Sequence, residues 1–297
     1  MTMDTLRDVT HVFENLNPEQ TQTLDRWARQ TQGWLNTFVE QAGPAGRRAK
    51  NWLNGIWLEH PLHPALTDVP VGAWAAGAIL DMVGAKREAD AAVTIGVLGS
   101  VPTALAGAAD WSDTADEQRR IGFVHALLNV GALLCMIASL FLRRAGQRAA
   151  GIGMSTAGLT LATFSAWLGG QLVYAKGTGV SRNVFAPLVE EFQAVISEDS
   201  LPPGQLVGAE LSVNGSKLPL VLLKKGSEVL ALSGVCSHWG GPLAEGKLVE
   251  DDCVQCPWHG SQFSLRDGRV RQGPAAVGAP VFETRIRNGM VEVRRTK

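Results

Sequence analysis

Two short pairs of cysteine and histidine lie near the end of this 297-residue chain. The first is Cys236-Ser-His238 and the second is Cys256-Pro-Trp-His259, with residues 239–255 between them. Glycines follow each pair, Gly240–Gly241 after the first and Gly260 after the second, and glycine permits the tight turns of a binding loop. Because thiolate and imidazole groups both bind metals, two such loops can bring four ligands to one centre.

Two kinds of centre fit this set of side chains. Zn²⁺ binds cysteine and histidine in the same ratio, usually as a single tetrahedral ion. Alternatively, two thiolates suit one ferric ion of an iron–sulfur cluster, and two neutral imidazoles suit the second iron. A Cys-x-His pair followed after a long gap by Cys-x-x-His is uncommon among zinc sites, so the spacing favours the cluster.

The residues around the two pairs resemble the Rieske 2Fe–2S ferredoxin family over about residues 198–297. The resemblance rests on the pattern Cys236-x-His238…Cys256-Pro-Trp-His259-Gly260-Ser261-x-Phe263, with Gly273-Pro274 downstream. It implies a Rieske-type 2Fe–2S cluster in which Cys236 and Cys256 hold one iron and His238 and His259 hold the other. It also implies that Ser261 lies beside the cluster without binding iron.

Several positions differ from the respiratory members of that family. Those proteins carry an additional cysteine on each ligand loop, joined as a disulfide, where this chain has Gly241 and Trp258. A missing loop disulfide fits a reducing compartment. Ser261 matches a respiratory serine, but Phe263 stands where those proteins have a tyrosine hydroxyl. Hydrogen bonds to cluster sulfur raise the reduction potential, so we expect a potential below that of the respiratory type.

Short β-strands must position these two loops. Alternating apolar residues bounded by turn residues predict strands at 205–213, 218–224, 228–235, 262–265, 282–287 and 290–294. We therefore expect an all-β Rieske domain over residues 201–297, preceded by a linker over residues 181–200.

The middle of the chain has the composition of a membrane domain. Residues 91–109, 121–142 and 149–175 are uncharged, and about 20 apolar residues suffice to cross a bilayer. Residues 64–85 form a fourth candidate span, with Asp68 and Asp81 near its ends. The expected fold is thus multidomain, with an N-terminal all-α transmembrane four-helix bundle over residues 59–180 and a C-terminal all-β Rieske domain.

The first 58 residues are polar with scattered tryptophans, which is typical of an amphipathic, interfacial region. Packing of a helix from this region on the bundle is the alternative. Arginine and lysine are slightly more frequent on the side that would carry both termini, which favours cytoplasmic termini. We expect a multi-pass protein of the cell inner membrane with a cytoplasmic Rieske domain.

Histidines and aspartates near the predicted helix ends form a candidate second site. The up-down topology places five of them on the side of the termini: His60, His63, Asp68, Asp110 and His125. Ionisable residues in a membrane are costly and are often functional. Three interpretations remain open: axial ligation of a b-type haem, a metal or quinone site in which His125 handles the proton, and a structural helix clamp.

The helical region also resembles an uncharacterised bacterial family of four-helix membrane domains. The resemblance spans about residues 58–180 and rests on His-Pro-x-His-Pro at residues 60–64, Ala106–Trp111 and His125–Asn129. It implies a membrane location and little about chemistry.

The functional hypothesis is a membrane-anchored Rieske protein that passes single electrons between a soluble redox partner and a membrane acceptor or donor, haem or quinone. The soluble partner would be a reductase, a ferredoxin or an oxygenase. The alternatives are a ferredoxin component of a separate oxygenase or reductase, with the bundle only as an anchor, and a redox-sensing membrane protein.

Two features of the sequence argue against other functions. A net charge of −1 gives no indication of nucleic-acid binding. No histidine follows His259, so the catalytic iron site of a ring oxygenase is missing and an electron-transfer component is expected rather than a complete enzyme.

Overall fold

A computed structural model describes residues 17–213 and 215–295 and divides the chain into two compact units. The helical unit contains the residues up to Arg47 together with Leu62–Thr178. The β unit contains Arg48–Pro61 together with the chain from Gly179 onward.

Helix α1 (Pro18–Gln41) opens the described part of the helical unit. Helix α2 (Gly43–Leu53) follows in the chain, and its residues from Arg48 onward belong to the β unit. Asn17 caps α1 by accepting a hydrogen bond from the N–H of Gln20 at 2.9 Å. One face of α1 packs on the bundle, where the buried Gln32 donates to the carbonyls of Trp111 and Thr114 at 2.8 and 3.1 Å. Its aromatic residues Trp27, Trp34 and Phe38 are exposed, so packing on the bundle is observed and an interfacial position remains a prediction.

The predicted all-α fold is confirmed, although with α1 and α2 the described α-helices number six where four were expected. Four of the six form the bundle. The helices are α3 (Leu62–Met82), α4 (Lys86–Trp111), α5 (Asp116–Arg144) and α6 (Arg148–Gly170), and α6 continues as a π-helical turn, Gln171–Ala175. Helices α3 and α4 pack as one hairpin and α5 and α6 as another. Within the described residues, α4 and α5 are long and apolar enough to cross a membrane. The crossings by α3 and α6 remain predictions.

Small and large apolar side chains fill the bundle centre, namely Trp74, Val93, Ala132, Met136 and Ala162. The outer faces of α4 and α5 instead expose large apolar side chains, namely Ile95, Leu98, Val101, Leu105, Leu127, Val130, Leu134 and Phe141. A face of this kind is costly in water and suits a lipid surround.

The β unit begins its first sheet strand at β1 (Val189–Ser197), followed by β2 (Leu206–Val213), β3 (Ser216–Lys225) and β4 (Glu228–Ser233). Four short strands come next: β5 (Lys247–Val249), β6 (Cys253–Gln255), β7 (Gln262–Ser264) and β8 (Val270–Gln272). The last hairpin is β9 (Val281–Arg287) and β10 (Met290–Arg295). A short 3₁₀ helix, Leu243–Glu245, lies between β4 and β5.

In the described residues these strands form a six-stranded sheet in the order β1-β10-β9-β4-β3-β2 and a four-stranded sheet in the order β5-β6-β7-β8. Strand β3 is buried on both faces: Leu220 and Leu222 lie in one apolar cluster, and Val221 and Leu223 lie in another. The second cluster also contains Cys236, Cys256 and Phe263. The two cysteines are therefore held against the core between the sheets.

The observed boundaries of the β unit differ from the expected linker and N-terminal region. Val189–Ser197, within the expected linker, pairs with β10 as an edge strand. Residues 48–58, expected to belong to the N-terminal region, and residues 59–61, expected to open the bundle, pack in the β unit, where Ile56 contacts the core. Their aromatic and apolar residues suit a protein surface as well as a membrane interface, so composition does not distinguish the two. The remaining expected strands match β2, β3, β4, β7, β9 and β10 to within about two residues.

Candidate functional site

Two loops of matching geometry carry the Cys/His pairs. In the first Cys/His loop, residues 236–241, the N–H of Cys236 donates to the carbonyl of Gly241 at 2.9 Å, and Gly240 donates back to the carbonyl of Cys236 at 2.9 Å. In the second Cys/His loop, residues 256–261, the same pattern joins Cys256 to Ser261 at 2.8 Å and Gly260 to Cys256 at 3.2 Å. Gly240 and Gly260 have φ of +82° and +78°, which glycine adopts without strain.

The two loops bring their cysteines together. Cys236 and Cys256 are 1% and 3% exposed, and their side chains form a hydrogen bond with each other. That hydrogen bond lowers the pKa of Cys256 to about 6 and, together with burial, raises the pKa of Cys236. Cys256 is thus the thiolate that accepts a hydrogen bond from the Cys236 thiol, and the pair is suited to bind a cation.

The two histidines form the second half of the site. The rings of His238 and His259 have centroids 5.1 Å apart, with an angle of 85° between their planes. Nδ1 of His238 is buried and has no hydrogen-bond partner among the described residues. Burial lowers the pKa of His238 to about 3, and the charges of His259, Arg182 and Lys50 act in the same direction. His238 is therefore a neutral imidazole with an unused buried nitrogen, as a metal ligand requires.

Gly241 and Trp258 stand at the two loop positions that correspond to the disulfide-bonded cysteines of the respiratory proteins. A Cβ atom at Gly241 would lie 2.8 Å from Sγ of Cys256 and 3.1 Å from the ring of Trp258. The two loops therefore approach each other closely at this point without a covalent bond. The described residues Cys135, Cys236, Cys253 and Cys256 are free cysteines.

A third segment, the bridging loop (residues 273–277), joins both Cys/His loops. The N–H of Ala275 donates to Oγ of Ser261 at 3.0 Å, and Ser261 is fully buried. From the other loop, Oγ of Ser237 donates to the carbonyl of Val277. The bridging loop contains the Gly273-Pro274 pair of the sequence pattern, so this pair lies at the site.

In residues 17–213 and 215–295, no three His, Cys, Asp or Glu side chains converge on one point where a single ion would be held. The four loop side chains instead form a sulfur pair and an imidazole pair. Two pairs of unlike ligands suit a centre with two metal ions, each bound by one pair.

In the helical unit, the structure brings together His63 and His125 of the five residues of the candidate second site. Their ring centroids are 6.1 Å apart. Asp68 is exposed on α3, and Asp110 is half-buried near the end of α4. In the β unit, His60 is exposed, with Nδ1 3.0 Å from the carbonyl oxygen of Pro61.

Hydrogen bonds already occupy the ring nitrogens of His125. Its Nδ1 lies 2.7 Å from the carbonyl of Ser165, and its Nε2 lies 3.1 Å from Nδ2 of Asn129. Nδ1 of His63 lies 2.9 Å from the carbonyl of Thr103. Axial binding of haem iron by His125 would break the Asn129 contact, so the observed contacts favour the structural clamp over the haem and quinone interpretations.

A cluster of charged residues, which the sequence did not predict, lies at the other end of the bundle around the buried Arg143 and Asp81. Arg143, with 1% of its side chain exposed, binds Asp81 of α3 and Asp90 of α4, the latter at 2.9 Å. Arg148 of α6 binds Asp81 at 2.7 Å. Of these residues, Asp81 was expected near the end of its predicted span. Two aspartates and two arginines near predicted helix ends were the available signal for their pairing.

Comparisons with known families match both halves of the chain. Residues 191–283 match the family described as Rieske [2Fe-2S] domain. Residues 59–182 match the family described as Predicted membrane protein (DUF2231). Both resemblances expected from the sequence are therefore confirmed.

Curated relatives match about a third of the chain or less. The anthranilate 1,2-dioxygenase ferredoxin subunit of Burkholderia cepacia is 38% identical over 81 residues, which are 27% of this chain and 73% of that protein. The ferredoxin component of biphenyl 2,3-dioxygenase of Rhodococcus jostii is 33% identical over 92 residues, which are 31% of this chain and 81% of that protein. Among solved structures, the ferredoxin of carbazole 1,9a-dioxygenase from Nocardioides aromaticivorans matches at 24% identity, covering 36% of this chain and 100% of that one, with a TM-score of 0.32.

Proposed function

Because this chain belongs to the Rieske [2Fe-2S] family, we propose that it is a membrane-anchored electron-transfer protein that passes single electrons to or from a soluble redox partner. The observation that carries the proposal is the meeting of the two Cys/His loops, which pairs Cys236 with Cys256 and His238 with His259. The helical region, which matches a membrane protein family, is the anchor in this proposal.

We propose that Cys236 and Cys256 bind one iron of a 2Fe–2S cluster and that His238 and His259 bind the other. The two sulfurs are in hydrogen-bonding contact, close enough to share one ion. The buried Nδ1 of His238 has no partner among the described residues and fits a ligand nitrogen. A cluster of this type accepts and releases one electron at a time.

The sulfur side and the histidine side of the site differ in their exposure to solvent. The two cysteines and Ser261 are buried, which excludes water from the sulfur side of the site. On the histidine side, His259 and its neighbours Pro257 and Trp258 are exposed. We propose that a soluble partner contacts this exposed surface, because electron transfer needs a short distance between the two centres.

The relatives suggest the class of the partner. The Burkholderia and Rhodococcus proteins are ferredoxin components of dioxygenases, and a ferredoxin of that kind works with separate proteins. We propose a reductase, a ferredoxin or an oxygenase as the soluble partner here. The chain would be a multi-pass inner-membrane protein whose Rieske domain is cytoplasmic, as the distribution of arginine and lysine favours.

A second candidate function adds a membrane acceptor or donor, haem or quinone, inside the bundle. The pairing of His63 and His125 is the observation that favours it. The hydrogen bonds to Ser165 and Asn129 oppose it, because they use both ring nitrogens of His125. The anchor role of the bundle is therefore the better supported proposal.

The test is an oxidised and a reduced visible spectrum of the full chain purified in detergent, with iron and acid-labile sulfide measured on the same sample. The proposal predicts broad cluster absorbance, two irons and two sulfides per chain, and no sharp haem band. A sharp haem band would support the second candidate. Zinc in place of iron and sulfide would contradict both.

A further inference from the structure

A segment far from the Cys/His loops in sequence packs beside them. Arg48–Pro61 belongs to the β unit, although it lies outside the matched Rieske region, residues 191–283. Ile56 packs against the apolar cluster that contains Cys236, Cys256 and Phe263. The β unit is therefore completed by residues that precede the first bundle helix.

Two asparagines of this segment hold Gly273, the first residue of the bridging loop. Oδ1 of Asn51 accepts a hydrogen bond from the N–H of Gly273 at 3.1 Å. Asn54 is 1% exposed, and its amide has no hydrogen-bond partner among the described residues. A Cβ atom at Gly273 would lie 2.8 Å from Nδ2 of Asn54, so the amide rests directly on the glycine backbone.

The bridging loop transmits this contact to both Cys/His loops. Two residues after Gly273, the N–H of Ala275 donates to Oγ of Ser261 at 3.0 Å. Two residues further on, the carbonyl of Val277 accepts from Oγ of Ser237, which lies between Cys236 and His238. A displacement of Gly273 would therefore reach Ser261 and Ser237 within one or two hydrogen bonds.

We infer that Asn51 and Asn54 are positioning residues, which hold the bridging loop against both Cys/His loops and so set the reduction potential of the cluster. This inference rests on the proposed cluster ligands. It makes the redox property of the Rieske domain depend on a segment that the family match does not include.

The direction of the effect follows from Ser261. Its oxygen accepts from Ala275, which leaves its hydrogen to donate to a cluster sulfur and raise the potential. Release of the bridging loop should misplace that hydroxyl, so Asn51→Ala should lower the midpoint potential. We expect the equilibrium constant for one-electron reduction to fall about tenfold, equal to about 59 mV.

The experiment is a redox titration, with electron paramagnetic resonance (EPR) spectra of the reduced state, on the full chain in detergent. Asn51→Ala is compared with Asn51→Asp, which retains an oxygen acceptor for Gly273. Asn36→Ala is the matched control, because the Asn36 amide donates to the carbonyl of Ser112 at 3.3 Å within the helical unit. Cluster content is measured as iron and sulfide in every sample.

The inference predicts a lower potential and an altered line shape in Asn51→Ala, with the wild-type line shape in Asn51→Asp and in Asn36→Ala. If Asn51→Ala loses its cluster, retention of the cluster by Asn51→Asp supports the inference equally. An unchanged potential in Asn51→Ala, or equal loss of the cluster in both Asn51 variants, overturns it. A wild-type chain without iron and sulfide would instead overturn the proposed function.

Discussion

The hydroxyl oxygen of Ser261 accepts a hydrogen bond from the backbone N–H of Ala275 at 3.0 Å, and Ser261 is fully buried beside Cys256. Because the oxygen is engaged as an acceptor, the hydroxyl hydrogen is left to donate to a neighbouring group. In the proposed site that group is a sulfur of the cluster. We propose that Ser261 tunes the site in this way, without a bond to iron.

Replacement of this serine should lower the reduction potential. A net hydrogen bond is worth about 0.5–1.5 kcal/mol, which corresponds to about 20–65 mV for a one-electron couple. Redox titration of Ser261→Ala should show a decrease in that range with iron content retained. Ser264→Ala is the control, because Ser264 is also buried but its hydroxyl oxygen accepts from the N–H of Arg266. A potential equal to the wild-type value in Ser261→Ala would remove the proposed role of the hydroxyl.

The close approach of the two Cys/His loops depends on Gly241. A Cβ atom there would lie 2.8 Å from Sγ of Cys256, so Gly241→Ala should push the loops apart. We expect overpacking of about 1–3 kcal/mol and a clear loss of bound iron, measured by thermal unfolding and iron analysis. Gly153→Ala, where a Cβ would meet nothing within 4 Å, should keep full iron content. Full iron content in Gly241→Ala as well would mean that the loops can separate without losing the site.

The parts of the site that depend on residues close together in the sequence were predictable. The Cys-x-His and Cys-x-x-His spacings placed the four side chains on two loops, and turn residues placed most of the long strands. The short strands β5, β6 and β8 were missed because three residues carry too little alternation to be recognised. Strand β1 was missed because its burial is irregular along an edge that pairs through bulges.

Contacts between distant parts of the chain were not predictable. Asn51 and Gly273 are 222 residues apart, and an asparagine in an amphipathic segment has no local feature that indicates a partner. The ion pairs of the bundle were unpredictable for the same reason. Asp81 and Arg143 come from different helices, and each alone resembles an ordinary charge at a membrane interface.

The buried arginine of the bundle should be essential for its stability. Arg143 binds carboxylates of α3 and α4 and Oγ of Ser139, so Arg143→Met leaves Asp81 with fewer partners. Asp81 keeps its ion pair with Arg148, so the expected loss is about 1.5–3 kcal/mol, the range for hydrogen bonds to a charged group. Thermal unfolding of the full chain in detergent should show this loss. Arg144→Met, at the exposed neighbouring position, should unfold like the wild type. Equal stability of Arg143→Met and Arg144→Met would contradict a stabilising role for the ion pairs of Arg143.

The histidine pair of the bundle should be structural. His125→Ala removes contacts to Ser165 and Asn129, so the bundle should lose about 1–3 kcal/mol of stability. The visible spectrum, iron content and midpoint potential of the cluster should stay unchanged. His60→Ala, at an exposed position, should change neither stability nor spectrum. Loss of a second redox signal in His125→Ala would show that the bundle holds a cofactor.

We propose that two histidines and two cysteines bind one 2Fe–2S cluster. Pulsed EPR detects the histidine ligands directly. The full chain is prepared with ¹⁵N-labelled histidine, reduced, and examined for hyperfine coupling between the cluster and histidine nitrogen. If His238 and His259 bind the cluster, the spectrum contains two coupled histidine nitrogens, and His259→Ala loses the Rieske signal. A reduced cluster with no coupled histidine nitrogen, or a full signal in His259→Ala, would contradict the assignment of His238 and His259 as ligands.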